Sequence, residues 1–165
     1  MEPANKDIML MARMMMVYRE VWSCIKKRLN KVNITYMMAN VCGVIWFSPG
    51  ISQDGVAKVL IIDKSSVAKI ISKAQKEKLI HRKVDEKDKR RYHLYLTDKG
   101  NKVMQEIIKV VDEWEKEAFE NLSEEEMNTF KSVLIKIEKE MHSNSEDLLN
   151  VSVNTYASSK NPWLV

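Results

Sequence analysis

Seven consecutive charged residues, Asp85-Glu86-Lys87-Asp88-Lys89-Arg90-Arg91, separate two short runs with strand character, 79–84 and 92–96. A segment this charged cannot enter a core, and the flanking runs predict a β-hairpin with a charged tip. In the second run Tyr92, Leu94 and Leu96 alternate with His93 and Tyr95, the two-residue period of a strand. Upstream, Val67, Ile70, Ile71 and Ala74 recur at spacings of three, four and seven, which predicts a helix with a narrow apolar seam. Asp63 is its N-cap candidate. Its opposite side carries Ser65, Lys69, Ser72 and Lys76, with Lys73 at the edge. Lysines reach phosphates and short serines let a backbone approach base edges, so this face suits the DNA major groove. A solvated surface helix has the same pattern. The charged hairpin that follows favours the first reading: helix and hairpin together read as the recognition helix and wing of a winged helix-turn-helix. A wing arginine there can enter the minor groove, where the negative potential is strongest if the groove is narrow.

Four short motifs then carry a resemblance. Asp88-Lys89-Arg90, five intervening residues, Leu96-Thr97 and Gly100 resemble the D-[KR]-R…LT..G wing signature of the multiple-antibiotic-resistance (MarR) regulators. Ile34-Thr35 is similar to their L-T entry to the second helix, and Pro49-Gly50-Ile51-Ser52-Gln53 to their P-G-L-S-Q entry to the third. Asp63-Lys64-Ser65-Ser66-Val67 is similar to D-K-S-T-V at the recognition helix. Each motif alone is weak. Together, in order and without an insertion, they cover about residues 5 to 142. Two positions depart from the pattern: Ile61 stands where many relatives have glycine before the recognition helix, and Lys78 where many have glycine after it. Glycine suits a left-handed helix end, and a β-branched residue there is strained, so either the turn at Ile61 differs locally or the chain tolerates some strain.

Charge is unevenly distributed. Residues 58–102 hold 11 Lys and 3 Arg against 6 Asp or Glu, a balance of +8 in a chain of net +4, so the remainder carries −4. A basic middle between acidic ends is the footprint of a nucleic-acid-facing module on a scaffold that leaves the phosphates alone. The basic middle also argues against a winged helix used only for protein interaction, which would present an apolar recognition face.

The rest of the chain reads as helices. Ile8, Met11, Met15, Tyr18, Trp22, Ile25 and Leu29 predict a long helix from residue 6 to about 32, widened on its apolar side by Met14 and Val17. Residues 34 to about 47 form a second helix, apolar nearly all round, with Thr35 and Asn33 competing as its cap and Ser48-Pro49-Gly50 ending it. Ser52 begins a short third helix carrying Val56, Ala57 and Leu60. Thr97 caps a fifth over about 98–120. Ser123 with Glu126 is a capping box, and Leu122 with Met127 its hydrophobic staple, opening a sixth helix with Phe130, Val133, Leu134, Ile137 and Met141 on one face. Residues 143–165 are rich in Ser and Asn, yet Leu148, Leu149, Tyr156 and Trp163 are too apolar for a typical disordered tail, which favours an arm packed on a partner subunit.

The expected fold is mainly α with a small β component (α+β): a winged helix-turn-helix with a helical dimerisation region built from the N- and C-terminal helices. The divisions are 1–33, a dimerisation helix; 34–99, the DNA-binding lobe; 100–145, dimerisation helices; and 146–165, a C-terminal extension. The resemblance implies a homodimeric regulator, acting as a repressor, on a pseudo-palindromic double-stranded DNA operator. DNA-contacting candidates are Ser52, Gln53, Lys64, Ser65, Ser66, Lys69, Lys73, Asp88, Lys89, Arg90 and Arg91, with Asp88 orienting Arg90. A small aromatic or amphiphilic effector is expected beside Met14, Tyr18, Trp22, Met38, Cys42, Met104 and Ile108, where methionines make an adaptable wall or simply fill core space.

No catalytic arrangement is legible. The histidines, His81, His93 and His142, have no carboxylate or thiol partner by spacing, and no nucleophile elbow, phosphate loop or H-E-x-x-H occurs. Cys24 and Cys42 have neither metal spacing nor C-x-x-C, so inert thiols are expected, with a thiol redox sensor as the alternative. No enzyme activity, cofactor or metal is expected. No apolar run approaches the ~20 residues of a membrane span, Arg13 interrupts the methionine-rich start, and no signal-peptide cleavage site follows. A cytoplasmic location with no membrane partner is the expectation.

Overall fold

In the computed structural model, residues 6–86, 88–89 and 91–142 are described. Arg90 at the hairpin tip and the segment from residue 143 onward, on both of which expectations rest, lie outside them. The elements are α1 (Lys6–Arg28), α2 (Tyr36–Phe47), α3 (Gln53–Leu60), α4 (Lys64–Lys76), β1 (Ile80–Val84), β2 (Tyr92–Leu96), α5 (Asp98–Ala118) and α6 (Glu124–His142). Mainly helical, with one two-stranded antiparallel sheet among the described residues, the fold is a winged helix. The first helix stops four residues earlier than its periodicity suggests. Leu29 tucks into the core, and the bonds Val32 N–H to Leu29 O and Ile34 N–H to Val32 O turn the chain toward α2.

Local caps fix where the helices start. Thr35, rather than Asn33, caps α2 by accepting from the Met38 N–H at 3.3 Å. Ser52 accepts from Gly55 N–H at 3.1 Å, Asp63 from Ser66 N–H at 2.8 Å, and Thr97 from Gly100 N–H at 3.0 Å. At α6 the capping box is complete, with Glu126 N–H donating to Ser123 Oγ at 3.2 Å and Ser123 N–H donating to Glu126 Oε2 at 2.8 Å. Each such cap satisfies a backbone donor that the helix itself leaves orphaned.

The core lies around α2, which packs against α3, α4, α5 and β2. Val41, Cys42 and Ile45 of α2, Val56 of α3, Val67, Ile71 and Ala74 of α4, and Leu79 and Leu94 of the wing are buried almost completely. Each large aliphatic side chain among them contributes about 1.5–3 kcal/mol by leaving water. The wing is tied to the following helix at Thr97. Its hydroxyl donates to the Lys78 carbonyl at 2.6 Å and its N–H to the Leu79 carbonyl at 3.0 Å. Gly100 must be glycine here, because a Cβ at that position would collide with the Leu79 carbonyl.

Both departures at the expected glycine positions resolve in the same way. Ile61 has φ 52 and Lys78 has φ 58, so each adopts the left-handed conformation without being glycine. Each closes a Schellman motif. Ile62 N–H reaches Ala57 O at 3.1 Å and Ile61 N–H reaches Lys58 O at 3.2 Å; Leu79 N–H reaches Ala74 O and Lys78 N–H reaches Gln75 O, both at 2.9 Å. The turn geometry is the glycine geometry, and the chain bears the strain. Ile61 is 69% exposed, so little apolar burial offsets its strained backbone. Ile61→Gly therefore should raise stability by about 0.5–1 kcal/mol, the relief of left-handed strain exceeding the added freedom of the unfolded glycine. Lys78→Gly should gain less, and Gly100→Ala should lose about 2 kcal/mol or more. Urea unfolding midpoints check all three; a lower midpoint for Ile61→Gly contradicts the strain.

Candidate nucleic-acid interface and helical cleft

The apolar seam of α4 fixes what its other side presents. With Val67, Ile71 and Ala74 buried, Ser65, Lys69, Ser72, Lys73 and Lys76 are exposed. Ser66 is half-buried, its backbone N–H held by the Asp63 cap. The Ser65 hydroxyl donates to Asp63 Oδ1 at 2.6 Å, leaving its oxygen lone pairs outward as acceptors. Bonds from Ser65 and Ser66 hold the Asp63 carboxyl far below the usual carboxylate range. Lys64 pairs with Asp54 of α3 at 2.8 Å, linking the two helices of the helix-turn-helix. Both partners are mostly exposed, so this pair contributes little stability and yields readily to a stronger anion.

The wing stands beside the start of α3. Ser52, Gln53 and Asp54 share a cleft of about 400 Å³ with Arg82, Arg91, Tyr92 and Leu94. The Arg82 guanidinium lies 5.9 Å from the Tyr92 ring centroid, and Arg91 Nε lies 3.4 Å from Asp88 Oδ2. Lys89 is exposed and Asp88 half-buried. Asp88 thus meets Arg91, while Arg90, the arginine it is expected to orient, lies outside the described residues.

One expectation fails at the wing. His93, without a carboxylate partner by spacing, makes a contact of 2.7 Å from Nε2 to Asp85 Oδ2 and another of 2.7 Å from Nδ1 to the Gly50 carbonyl. Cross-strand register, Lys83 opposite His93, brings Asp85 within reach; separation along the chain does not reveal it. The same register pairs Arg82 with Leu94, which is how Arg82, absent from the sequence candidates, joins the α3 cleft. Counting residues back from both sides of the charged tip is the signal that finds them.

A second, more apolar cleft of about 250 Å³ lies among α1, α2 and α5. Tyr18, Trp22 and Met104 line it together with Tyr36, Asn40 and Gly43. Tyr18 and Trp22 both meet the Tyr36 ring edge-on, with centroids 5.2 and 5.4 Å apart. The other residues expected here do not form its wall. Met38 and Cys42 are buried in the core on the opposite face of α2, Ile108 is half-buried outside the cleft, and Met14 is exposed on α1. Because α2 is apolar nearly all round, periodicity does not say which face meets the cleft; the face is 36, 39, 40, 43, 44 and 47.

Among the described residues no cluster of His, Cys, Asp and Glu could hold a metal ion, and no helix is long and apolar enough to cross a membrane. Burial pushes the Cys42 thiol up to about 12. Cys24 is only half-buried, beside Lys27, Arg28 and Trp114.

An exposed basic helix following a positioning helix, with a charged hairpin at its side, defines a winged helix-turn-helix of the DNA-binding type. Residues 50–100 match the family described as "Winged helix DNA-binding domain". The chain is 30% identical over 124 residues to the HTH-type transcriptional regulator BilQ of Clostridium symbiosum, covering 74% of this chain and 86% of that one. It spans 55% of the length of another curated relative, a putative transcriptional regulatory protein of Thauera aromatica, which it matches at 31% identity. Its fold is similar to the crystal structure of MarR, at 26% identity and a TM-score of 0.72, covering 85% of this chain and 95% of that one. It is also similar to a mutant of S. aureus MepR bound to an oligodeoxyribonucleotide, at 27% identity and a TM-score of 0.56, covering 80% and 97%. The chain belongs to the MarR family of winged helix-turn-helix transcription regulators.

A buried thiol that stays protonated is a poor nucleophile. Iodoacetamide at neutral pH should label Cys24 in the folded protein and leave Cys42 unmodified until denaturant is added, as read by peptide mass spectrometry. Rapid labelling of native Cys42 contradicts its burial.

Proposed function

We propose that the chain acts in the cytoplasm as a homodimeric repressor that binds a pseudo-palindromic operator and releases it on binding a small aromatic or amphiphilic effector. It is a binding protein and not an enzyme in this reading. Residues 34–99 form the DNA-binding lobe, and the helices on either side of it the dimerisation region. The observation that carries the reading is the exposure of Lys69, Lys73 and Lys76 on α4 together with that of Arg82 and Arg91 on the wing. A face with this charge and these short serines fits the major groove, and the wing arginines fit the neighbouring backbone or minor groove. The MepR structure carrying an oligodeoxyribonucleotide supports double-stranded DNA as the partner.

The dimer is supported by apolar surface that one chain leaves uncovered. Met11, Met15 and Met16 of α1 and Phe130, Leu134 and Ile137 of α6 are exposed, Met16 at 67% and Ile137 at 45%. No described side chain of α6 is buried. Contiguous apolar faces of this kind mark an interaction surface. The α1–α2–α5 cleft supports the effector, since Tyr18, Trp22, Tyr36 and Asn40 offer polar handles in an otherwise apolar wall. It adjoins both α1, a helix of the proposed dimerisation region, and the DNA-binding lobe, so a ligand that favours one lobe spacing shifts DNA affinity.

Sedimentation at micromolar concentration should report a dimer; a monomer that still binds DNA contradicts the reading. On a duplex recovered by selection from random DNA, Lys69→Ala should weaken binding across all sequences and reduce the slope of log affinity against log salt by about 1, the loss of one phosphate contact. An unchanged slope removes Lys69 from the interface.

A further inference from the structure

The two nitrogens of His93 face two acceptors. A backbone carbonyl cannot donate, and neither can a carboxylate, so contacts of 2.7 Å to Gly50 O and to Asp85 Oδ2 are both hydrogen bonds only when both ring nitrogens carry protons. We propose that His93 is a positioning residue for DNA binding: as an imidazolium it braces the wing against the turn that opens α3, and operator affinity falls when it loses a proton. The proposal rests on the reading that the wing meets DNA.

The brace runs through several elements. Gly50 lies in the turn between α2 and α3, and that turn also pairs with β2 through Gly50 N–H to Leu94 O at 2.8 Å and Leu94 N–H to Ile51 O at 3.0 Å. Asp85 follows β1 and uses its second oxygen to accept the Asp88 N–H at 2.9 Å, which shapes the hairpin tip. Asp88 in turn meets Arg91. A single imidazolium therefore connects the entry of the positioning helix to the turn that carries the basic wing tip. The charged groups facing it are Asp85, which favours its protonated form, and the cross-strand Lys83, which opposes it. Hydrogen bonding to Asp85, then to the Gly50 carbonyl, raises His93 above its usual range.

The sign follows from that direction. The brace is fully present below histidine's ordinary value of about 6.5 and is lost as pH rises through the raised value in the folded protein. Above it, one ring nitrogen presents a lone pair to an oxygen, that contact opens, and the Asp85–Asp88–Arg91 chain loses its fixed pose.

The test uses the full chain, with a duplex selected from random DNA by the wild-type protein at about pH 6. Anisotropy titrations at constant ionic strength should show wild-type affinity falling by roughly fivefold or more toward about pH 9. His93→Gln should bind at every pH as the wild type does at high pH, whereas a His81→Gln, His142→Gln double variant should keep the wild-type slope. Should His93→Gln fail to fold, Asp85→Asn carries the same expectation. Long-range 15N–1H spectra of the free protein should show both His93 nitrogens protonated at about pH 6.5, with deprotonation coinciding with the loss of affinity. A neutral His93 at that pH overturns the brace whatever DNA does. Retention of the wild-type pH slope by His93→Gln overturns its positioning role. If no duplex is recovered at any pH, the DNA-binding reading fails and the positioning role with it, while the spectra still decide whether the brace exists.

Discussion

Val67, Ile71 and Ala74 have no exposed surface, and α4 can bury these three in only one rotational setting. Most of the functional geometry depends on that constraint. A helix with so narrow an apolar seam must turn its remaining positions outward, and here those positions are lysine and serine. Asp63 sets the start of the helix, the Schellman motif at Lys78 sets its end, and Leu79 leaves that motif directly into the core that also holds Val67 and Leu94. The wing then begins at a fixed place and angle relative to the basic face. Thr97 and Gly100 lock the same junction to α5, so the DNA-facing lobe and the long helix share one rigid attachment.

That attachment gives a physical route between the cleft and the basic face. Met104 and Ile107 reach the cleft from α5, while Tyr36, Ala39 and Gly43 reach it from α2, whose other side buries Met38 and Cys42 in the lobe. α2 also packs against α4 and β2, so close-packed side chains connect the cleft to the helix and strand that carry the basic face. Arg28 already bridges α1 to α5, with Glu113 at 2.6 Å and Glu106 at 3.9 Å. These ion pairs are exposed and orient the helices more than they stabilise them.

Much of this is legible in the residues. The seam of α4, the Asp63, Ser52 and Thr97 caps, the Ser123–Glu126 box and both strands follow from local chemistry, which a sequence states directly. What it withholds depends on three-dimensional register. The Ile61 position announces strain, but only the backbone shows that the left-handed turn is kept at a β-branched residue. The His93–Asp85 contact arises from cross-strand pairing. Met38 and Cys42 belong to the core face of α2 and not to the cleft, because an all-apolar helix has no periodicity to break the tie between its faces. The contact of Arg82 with the Tyr92 ring is hidden from the sequence for the same reason as that of His93.

The account requires two copies of the lobe to present α4 and the wing to one face of a duplex. Hydroxyl-radical footprinting of a selected duplex measures this most directly. The account predicts two protected segments related by a two-fold axis, with centres about 10 base pairs apart and flanking minor-groove protection from the wings. A single unpaired protected segment, or protection lacking any two-fold relation, would contradict it.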